Sequence, residues 1–188
     1  SEGDYGENIS EINRQLIGDT YDGNISGMCR VKDSLIVFKN KSLYAVDGVL
    51  LPGEYSLRKI ESNLIGCISH KSIITTEQYA LFQGSDNIYV TNGFSIKEFG
   101  DDISPDIDSS KLMRSAIIVP MEGYIFWNNT KTFFYNYDHN EWFIWNNIDA
   151  SSGMVIDNEG NPICFSGANC TEFVPIFNDF GSAIDGMI

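Results

Sequence analysis

The stretch Ser34-Leu-Ile-Val-Phe-Lys-Asn-Lys-Ser-Leu-Tyr-Ala-Val-Asp-Gly48 contains the pattern that decides the fold. Two runs of apolar residues flank a short polar connection, and an Asp-Gly pair follows the second run. β-branched and aromatic residues favour strands, whereas Asn, Asp and Gly favour the tight reversals that join them. The stretch therefore predicts an antiparallel β-hairpin.

The same pattern returns along the chain in residues 79–93 and 123–137, and less regularly in residues 161–177. The aromatic residues that end the first strand of each unit are 44, 45 and 38 residues apart; they are Phe38, Phe82, Trp127 and Phe165. A period of this length with a hairpin in every unit is the size of one propeller blade. The sequence predicts an all-β, β-propeller-like fold of about four antiparallel blades of 38–45 residues, either as a closed ring or as part of a larger propeller.

The domain boundary is expected where the repeats begin. Residues 1–24 are polar and Gly-rich, which indicates an N-terminal arm or the end of a preceding repeat, and residues 25–188 form the propeller-like domain. Two segments have helical character. Ser10 with apolar residues at helical spacing predicts a short helix over residues 10–18, and Ser104-Pro105 predicts a helical turn or two over residues 106–113.

The charge of the chain excludes some classes of partner. Twelve basic residues are set against 26 acidic ones, for a formal net charge of −14. Such a surface repels phosphate backbones and anionic membranes, so we expect no sequence-specific nucleic-acid binding and no membrane association. The sequence contains no run of roughly 18 apolar residues, so it predicts no membrane span.

The residues that carry enzyme chemistry do not form a recognisable motif. The chain has two histidines, His70 and His139, and no G-x-S-x-G elbow, so neither histidine indicates a catalytic triad. The four cysteines form no C-x-x-C pair, and no glycine-rich phosphate loop is present. We expect a protein that is not an enzyme and that needs no cofactor or metal.

One loop concentrates acidic side chains; they are Asp101, Asp102, Asp106 and Asp108. A solvated acidic loop is the simplest interpretation. A calcium site is an alternative, because carboxylates at short spacing suit that ion, but the loop lacks the EF-hand order and Pro105 interrupts it. A glycosidase pair is a second alternative, although its two carboxylates usually come from separate segments.

The aromatic residues of the third unit provide the candidate contact site. Trp127, Trp142 and Trp145 lie within a run rich in Phe and Tyr, and strand alternation would expose some of these rings. We predict that these three tryptophans contact a partner or a glycan. Burial in a sheet core is the competing interpretation.

The order of the repeats resembles β-propeller proteins of bacteriophage tails and head–tail connectors, over roughly residues 30–148. The segments that carry the resemblance are Leu35-Ile-Val-Phe38, Ser42-Leu-Tyr-Ala-Val-Asp-Gly48, Asn87-Ile-Tyr-Val-Thr-Asn-Gly93 and Ile103-Ser-Pro-Asp-Ile107. These motifs are structural, so the resemblance implies no catalytic residue. It implies a structural component of the virion, assembled in the host cytoplasm, whose partners are other virion proteins or copies of itself. The alternative function is that of a carbohydrate-binding β-propeller module.

Overall fold

The computed structural model describes most of the chain between residues 16 and 183. The described ranges are 16–48, 55–60, 64–119, 122–145, 153–158, 162–166, 169–172, 178–179 and 182–183. The chain is all-β in these ranges, and successive strands form successive antiparallel sheets. The predicted all-β class is therefore confirmed.

Among the described residues, three sheets have four strands each, and the strands follow one another in chain order. The first contains β1 (Ile25–Val31), β2 (Ser34–Lys39), β3 (Leu43–Gly48) and β4 (Tyr55–Ile60). The second contains β5 (Ile74–Thr75), β6 (Ala80–Gln83), β7 (Ile88–Thr91) and β8 (Ile96–Glu98). The third contains β9 (Arg114–Ile118), β10 (Gly123–Trp127), β11 (Thr132–Asn136) and β12 (Glu141–Trp145).

The remaining strands form two smaller sheets. A fourth sheet contains β13 (Gly153–Ile156), β14 (Pro162–Ser166) and β15 (Asn169–Glu172). The short strands β16 (Asn178–Asp179) and β17 (Ser182–Ala183) pair with each other. The hairpin predicted in residues 161–177 corresponds to β14 and β15, and residues 173–177 lie outside the described ranges.

The hairpins predicted from the turn residues are confirmed in the first three sheets. In each sheet, a backbone hydrogen bond closes the polar turn between the second and third strands. Lys39 N donates to Ser42 O at 2.8 Å in the first sheet, and Gly84 N donates to Asn87 O at 2.8 Å in the second. In the third sheet, Asn128 N donates to Lys131 O at 3.0 Å. The short loops set the register, so alternate residues of each strand face opposite sides of the sheet.

Large apolar side chains fill the spaces between neighbouring sheets. Ile36, Phe38 and Ala80 lie in a core between the first and second sheets. A second core joins the second sheet to the third, a third core joins the third sheet to the fourth, and each has aromatic rings at its centre. The second and third sheets are therefore covered on both faces, which explains why their central strands lack the polar alternation of a solvent-facing sheet.

The first strands of neighbouring sheets are in contact. β1 touches β5, and β5 touches β9, so the sheets converge along their first strands. Because consecutive strands run antiparallel, the linkers between sheets and the turns between second and third strands lie at the same end of the molecule. That end is where loops from different sheets come together.

Of the two helix predictions, one falls mostly outside the described residues and the other is wrong in position. Residues 10–15 lie outside the described ranges, and residues 16–18 are not helical. The helical turns predicted over residues 106–113 are wrong in position. A 3₁₀ helix spans Asp101–Asp106 instead, because Ile103 is buried in the second core, and the following residues form a single turn in which Lys111 N donates to Asp108 O.

Candidate functional site

The three candidate tryptophans do not share one surface. Trp142 faces the second core, where its indole N–H donates to Phe99 O at 3.1 Å. Its ring packs against Phe99 and Tyr135, with centroid distances of 5.5 and 5.1 Å. The three-residue step from Trp142 to Trp145 places the second ring on the opposite face of the strand.

Trp127 and Trp145 both lie on the face of the third sheet that is turned toward the fourth sheet. Trp127 is only 5% exposed, and Trp145 is half-buried and stacked on Phe134 at 5.0 Å. Thr132 pairs with both tryptophans across the sheet, so the three side chains form one row. The structure thus brings Trp127 and Trp145 together inside a core and separates both from Trp142.

The four acidic residues of the loop have different partners or none. Asp101 accepts a hydrogen bond from the Asn87 amide at 3.0 Å, and Asp106 forms an ion pair with Lys131. Asp108 accepts hydrogen bonds from the hydroxyl and the backbone N–H of Ser110, and these bonds lower the pKa of its carboxyl group. No three His, Cys, Asp or Glu side chains of the described ranges converge in a way that could hold a metal ion.

The two histidines lie in different loops. His70 begins a 3₁₀ helix, His70–Ser72, in the linker to the second sheet, and His139 lies in the turn before β12. Both side chains are exposed. Neither makes a side-chain contact with a nucleophile among the described residues, so no triad geometry is formed there.

Among all the residues that the structure describes, no helix is both long and apolar enough to cross a bilayer.

The outer face of the first sheet, on the side away from the second sheet, is partly uncovered. Met28 is 61% exposed and Leu35 is 37% exposed, and the neighbouring Val46 and Leu57 are half-buried. Register places these four side chains on the face opposite the first core. Val37 lies on the same face and is fully buried, so only part of this face is uncovered. We call this surface, defined by Met28, Leu35, Val46 and Leu57, the open face.

A polar cluster covers one end of the same sheet. Asp22 is 5% exposed, and its carboxylate accepts a hydrogen bond from the Tyr44 hydroxyl and one from Lys59 Nζ at 3.1 Å. Lys39, which is also 5% exposed, donates from its ammonium to the carbonyls of Ile17 and Asp19 at 3.1 and 2.6 Å. These bonds fasten residues 17–22 onto the sheet.

The cluster changes the acidity of Asp22. The hydrogen bond from Tyr44 is the largest cause, burial opposes it, and the Lys59 ammonium adds to it, so the pKa falls from 3.8 to about 2. Because the pKa is lower in the folded state, the stabilisation is fully present above pH 3.8 and is lost as the pH falls toward 2.

Replacing Asp22 with asparagine should therefore destabilise the protein by about 2 kcal/mol at pH 7, since charged hydrogen bonds are lost in a buried place. The difference from the wild type should shrink between pH 4 and pH 2, where the wild-type carboxylate becomes protonated. Denaturant unfolding at several pH values measures this. Asp102→Asn, an exposed control, should change the free energy of unfolding by less than about 0.5 kcal/mol at each pH. A pH-independent deficit in Asp22→Asn would contradict the assignment.

A cleft of about 460 Å³ opens where the first strands of three sheets begin. Its lining comes from the start of β1, from the linkers into β5 and β9, and from the turn between β10 and β11; the lining residues are Ser26, Ile68, Ser69, His70, Lys71, Leu112, Met113, Arg114 and Asn129. We call it the strand-start cleft. Sequence reasoning missed this site because its residues are spread over about one hundred positions with no common motif.

Buried hydrogen bonds hold the two linkers of this cleft together. Gln83 is fully buried, and its side-chain amide donates to Lys111 O at 2.9 Å and accepts from Met113 N at 2.7 Å. The Ser69 hydroxyl donates to Met113 O at 2.7 Å. A satisfied polar network of this kind specifies one arrangement of the loops, so the cleft is preformed.

Comparison with known proteins supports the fold of the chain and does not address its function. No protein-family model matches the chain. No curated protein matches it either. The chain is similar to a structure of the extracellular domain of BT4673 from B. thetaiotaomicron, a protein assigned as a one-component system, with a TM-score of 0.55 and 12% identity over 80% of this chain and 21% of that chain.

A second structure of that extracellular domain, assigned to a hybrid two-component system, gives a TM-score of 0.55 and 12% identity over 86% of this chain and 22% of that chain. The chain therefore spans about a fifth of the length of the proteins it matches. At this identity, the likeness concerns the arrangement of sheets and says nothing about activity.

Proposed function

We propose that the chain is a propeller-like structural module of a phage tail or head–tail junction and that it acts by protein–protein assembly. In this proposal the successive sheets are the blades of a propeller, about four in this chain, and they form a ring or part of a larger one. The contacts of β1 with β5 and of β5 with β9 support this arrangement, because blades radiate from their innermost strands.

The open face is the observation that carries the proposal. Neighbouring sheets of this chain cover each other with apolar side chains, but Met28 and Leu35 of the first sheet are 61% and 37% exposed. Apolar side chains grouped on an exposed sheet face mark a contact surface. A further sheet, from a second copy or from another virion protein, would cover the part of this face that residues 17–22 leave exposed.

The resemblance of the repeats to phage tail propellers supports the viral context, and the open face supports assembly as the mode of action. The carbohydrate-binding alternative needs aromatic rings on one accessible surface. Trp142 and Trp145 lie on opposite faces of β12, and Trp127 is 5% exposed, so this geometry does not favour that alternative. The one-component and two-component system assignments of the matched proteins are not carried over, because 12% identity concerns the fold alone.

The solution mass of the protein tests the proposal. We expect the wild type to form a discrete species whose mass is a multiple of 21.0 kDa, measured by light scattering behind a sizing column. Leu35→Lys should return it to a monomer, since a charge placed in an apolar contact costs about 2 kcal/mol, or roughly thirtyfold in Kd, for each contact.

Ile117→Lys is the matched control, because Ile117 has the same 37% exposure as Leu35 but lies outside the open face. Its mass should equal that of the wild type. A monomeric wild type that also fails to bind other virion proteins would reject assembly through this face and would favour the carbohydrate-binding alternative, which a glycan screen tests.

A further inference from the structure

The strand-start cleft carries a local charge opposite to that of the whole chain. Its lining includes Lys71 and Arg114, both exposed, together with His70, and none of its described lining residues is Asp or Glu. The chain as a whole has 26 acidic and 12 basic residues. A concave site lined by cations on an acidic protein is therefore a distinct electrostatic feature, and such a site attracts and orients anionic groups.

These two cations form no ion pair with any residue that the structure describes. Within the described ranges, neither Lys71 nor Arg114 has a carboxylate within 4.0 Å, whereas Lys59, Lys111 and Lys131 are each paired with an aspartate. The backbone beneath them is held in place, because the Ser115 hydroxyl donates to Lys71 O at 3.4 Å and Met113 is anchored by Gln83. The backbone that carries these two side chains is thus fixed, and their charged ends are available to a ligand.

We infer that the strand-start cleft binds an acidic peptide segment of a partner, with Lys71 and Arg114 pairing with its carboxylates. This inference rests on the cleft and is independent of the open face. Arg114 suits a carboxylate because its planar guanidinium offers two parallel donors, and Lys71 supplies a second point charge from the neighbouring linker.

The other lining residues favour a peptide over a free inorganic anion or a nucleic acid. Leu112 is 61% exposed at the cleft, and Ile68 is half-buried there, so part of the surface is apolar and suits hydrocarbon side chains. A volume of about 460 Å³ lies in the range of ligand pockets. The net charge of −14 opposes the approach of a continuous phosphate backbone, whereas a short peptide needs only the local field.

The test uses the acetylated, fluorescently labelled peptide Glu-Asp-Leu-Glu-Asp-Leu as the probe, with fluorescence anisotropy as the readout. At about 0.15 M salt the Debye length is about 8 Å, so the repulsion from distant carboxylates is screened while contacts within the cleft persist. We expect saturable binding. The double variant Lys71→Gln and Arg114→Gln should weaken it at least about tenfold, because both charged contacts are lost.

Lys97→Gln provides the matched control, since Lys97 is an exposed lysine on β8 outside the cleft. It should leave the affinity within about twofold of the wild type, as expected for a remote exposed charge. Circular dichroism and the melting temperature establish whether each variant is folded. If the double variant is not folded, the single variants Lys71→Gln and Arg114→Gln are measured in its place.

Any of four results would overturn the inference. The first is the absence of saturable binding, and the second is an equal loss of affinity in Lys97→Gln, which would mean non-specific attraction. The third is equal binding of the neutral peptide Gln-Asn-Leu-Gln-Asn-Leu, and the fourth is full displacement of the acidic peptide by millimolar inorganic phosphate. Either of these last two would mean that peptide carboxylates are not what the cleft recognises.

Discussion

Phe38→Ala should lower the free energy of unfolding by about 3–5 kcal/mol, a large part of the roughly 5–15 kcal/mol that stabilises a typical domain. Phe38 is completely buried on β2, and its ring meets that of Phe82 on β6 edge-on, with centroids 5.1 Å apart. Truncation removes the contact that joins the first sheet to the second and leaves a cavity. Denaturant unfolding followed by tryptophan fluorescence measures the change.

Phe94→Ala is the matched control for this variant. Phe94 is 64% exposed, and its ring contacts the guanidinium of Arg58 at 4.6 Å, so its removal should cost at most about 1 kcal/mol. Phe38→Leu keeps the core filled and should lie between the two. If Phe38→Ala were no more destabilising than Phe94→Ala, the first core would not be the contact that holds these sheets together.

Gly66→Ala should destabilise the protein by about 3 kcal/mol or more, because no space exists for a side chain at that position. An added Cβ would lie 2.3 Å from Lys39 O and 2.4 Å from both Asn40 C and Lys41 N. All three atoms belong to the backbone of the β2–β3 turn, so the linker must move away as a unit. This movement also breaks the hydrogen bond from Cys67 N to Lys39 O, which is 2.9 Å long.

Gly93→Ala separates close packing from backbone strain. Gly93 has a φ of +87°, a conformation that costs an alanine about 1–2 kcal/mol, but the nearest atom to its added Cβ is Ile36 Cδ1 at 3.4 Å. Gly93→Ala should therefore lower the free energy of unfolding less than Gly66→Ala does, as measured by denaturant unfolding. Equal losses in the two variants would show that the approach of the linker to the turn is not tight in solution.

The hairpins were predictable because their information is local. The turns at residues 39–42, 84–87 and 128–131 each combine polar residues with flanking apolar runs, and local sterics alone select a reversal there. The 3₁₀ helix at Asp101–Asp106 was misplaced because burial of Ile103 outweighed the start signal at Ser104-Pro105. Tertiary packing commonly overrides weak local propensity in this way.

The candidate sites were less predictable for a related reason. Strand alternation indicated that some tryptophans would face each side of the third sheet, but which ring is covered depends on the neighbouring sheets. Trp142 is held by Phe99, a residue 43 positions earlier, and no local pattern connects the two. The strand-start cleft is similar, since Lys71 and Arg114 become neighbours only when two linkers pack side by side.

The sequence by itself determined the all-β class, the repeat length and the hairpin turns, because these depend on side-chain preference and spacing within a few residues. The tertiary structure decided which sheet faces are covered, which charges pair and which loops meet. These features depend on contacts between residues far apart in the chain. Asp22 illustrates the difference: it is an ordinary acidic residue in the sequence, and only its burial against Tyr44 and Lys59 makes it part of the structure that holds residues 17–22 in place.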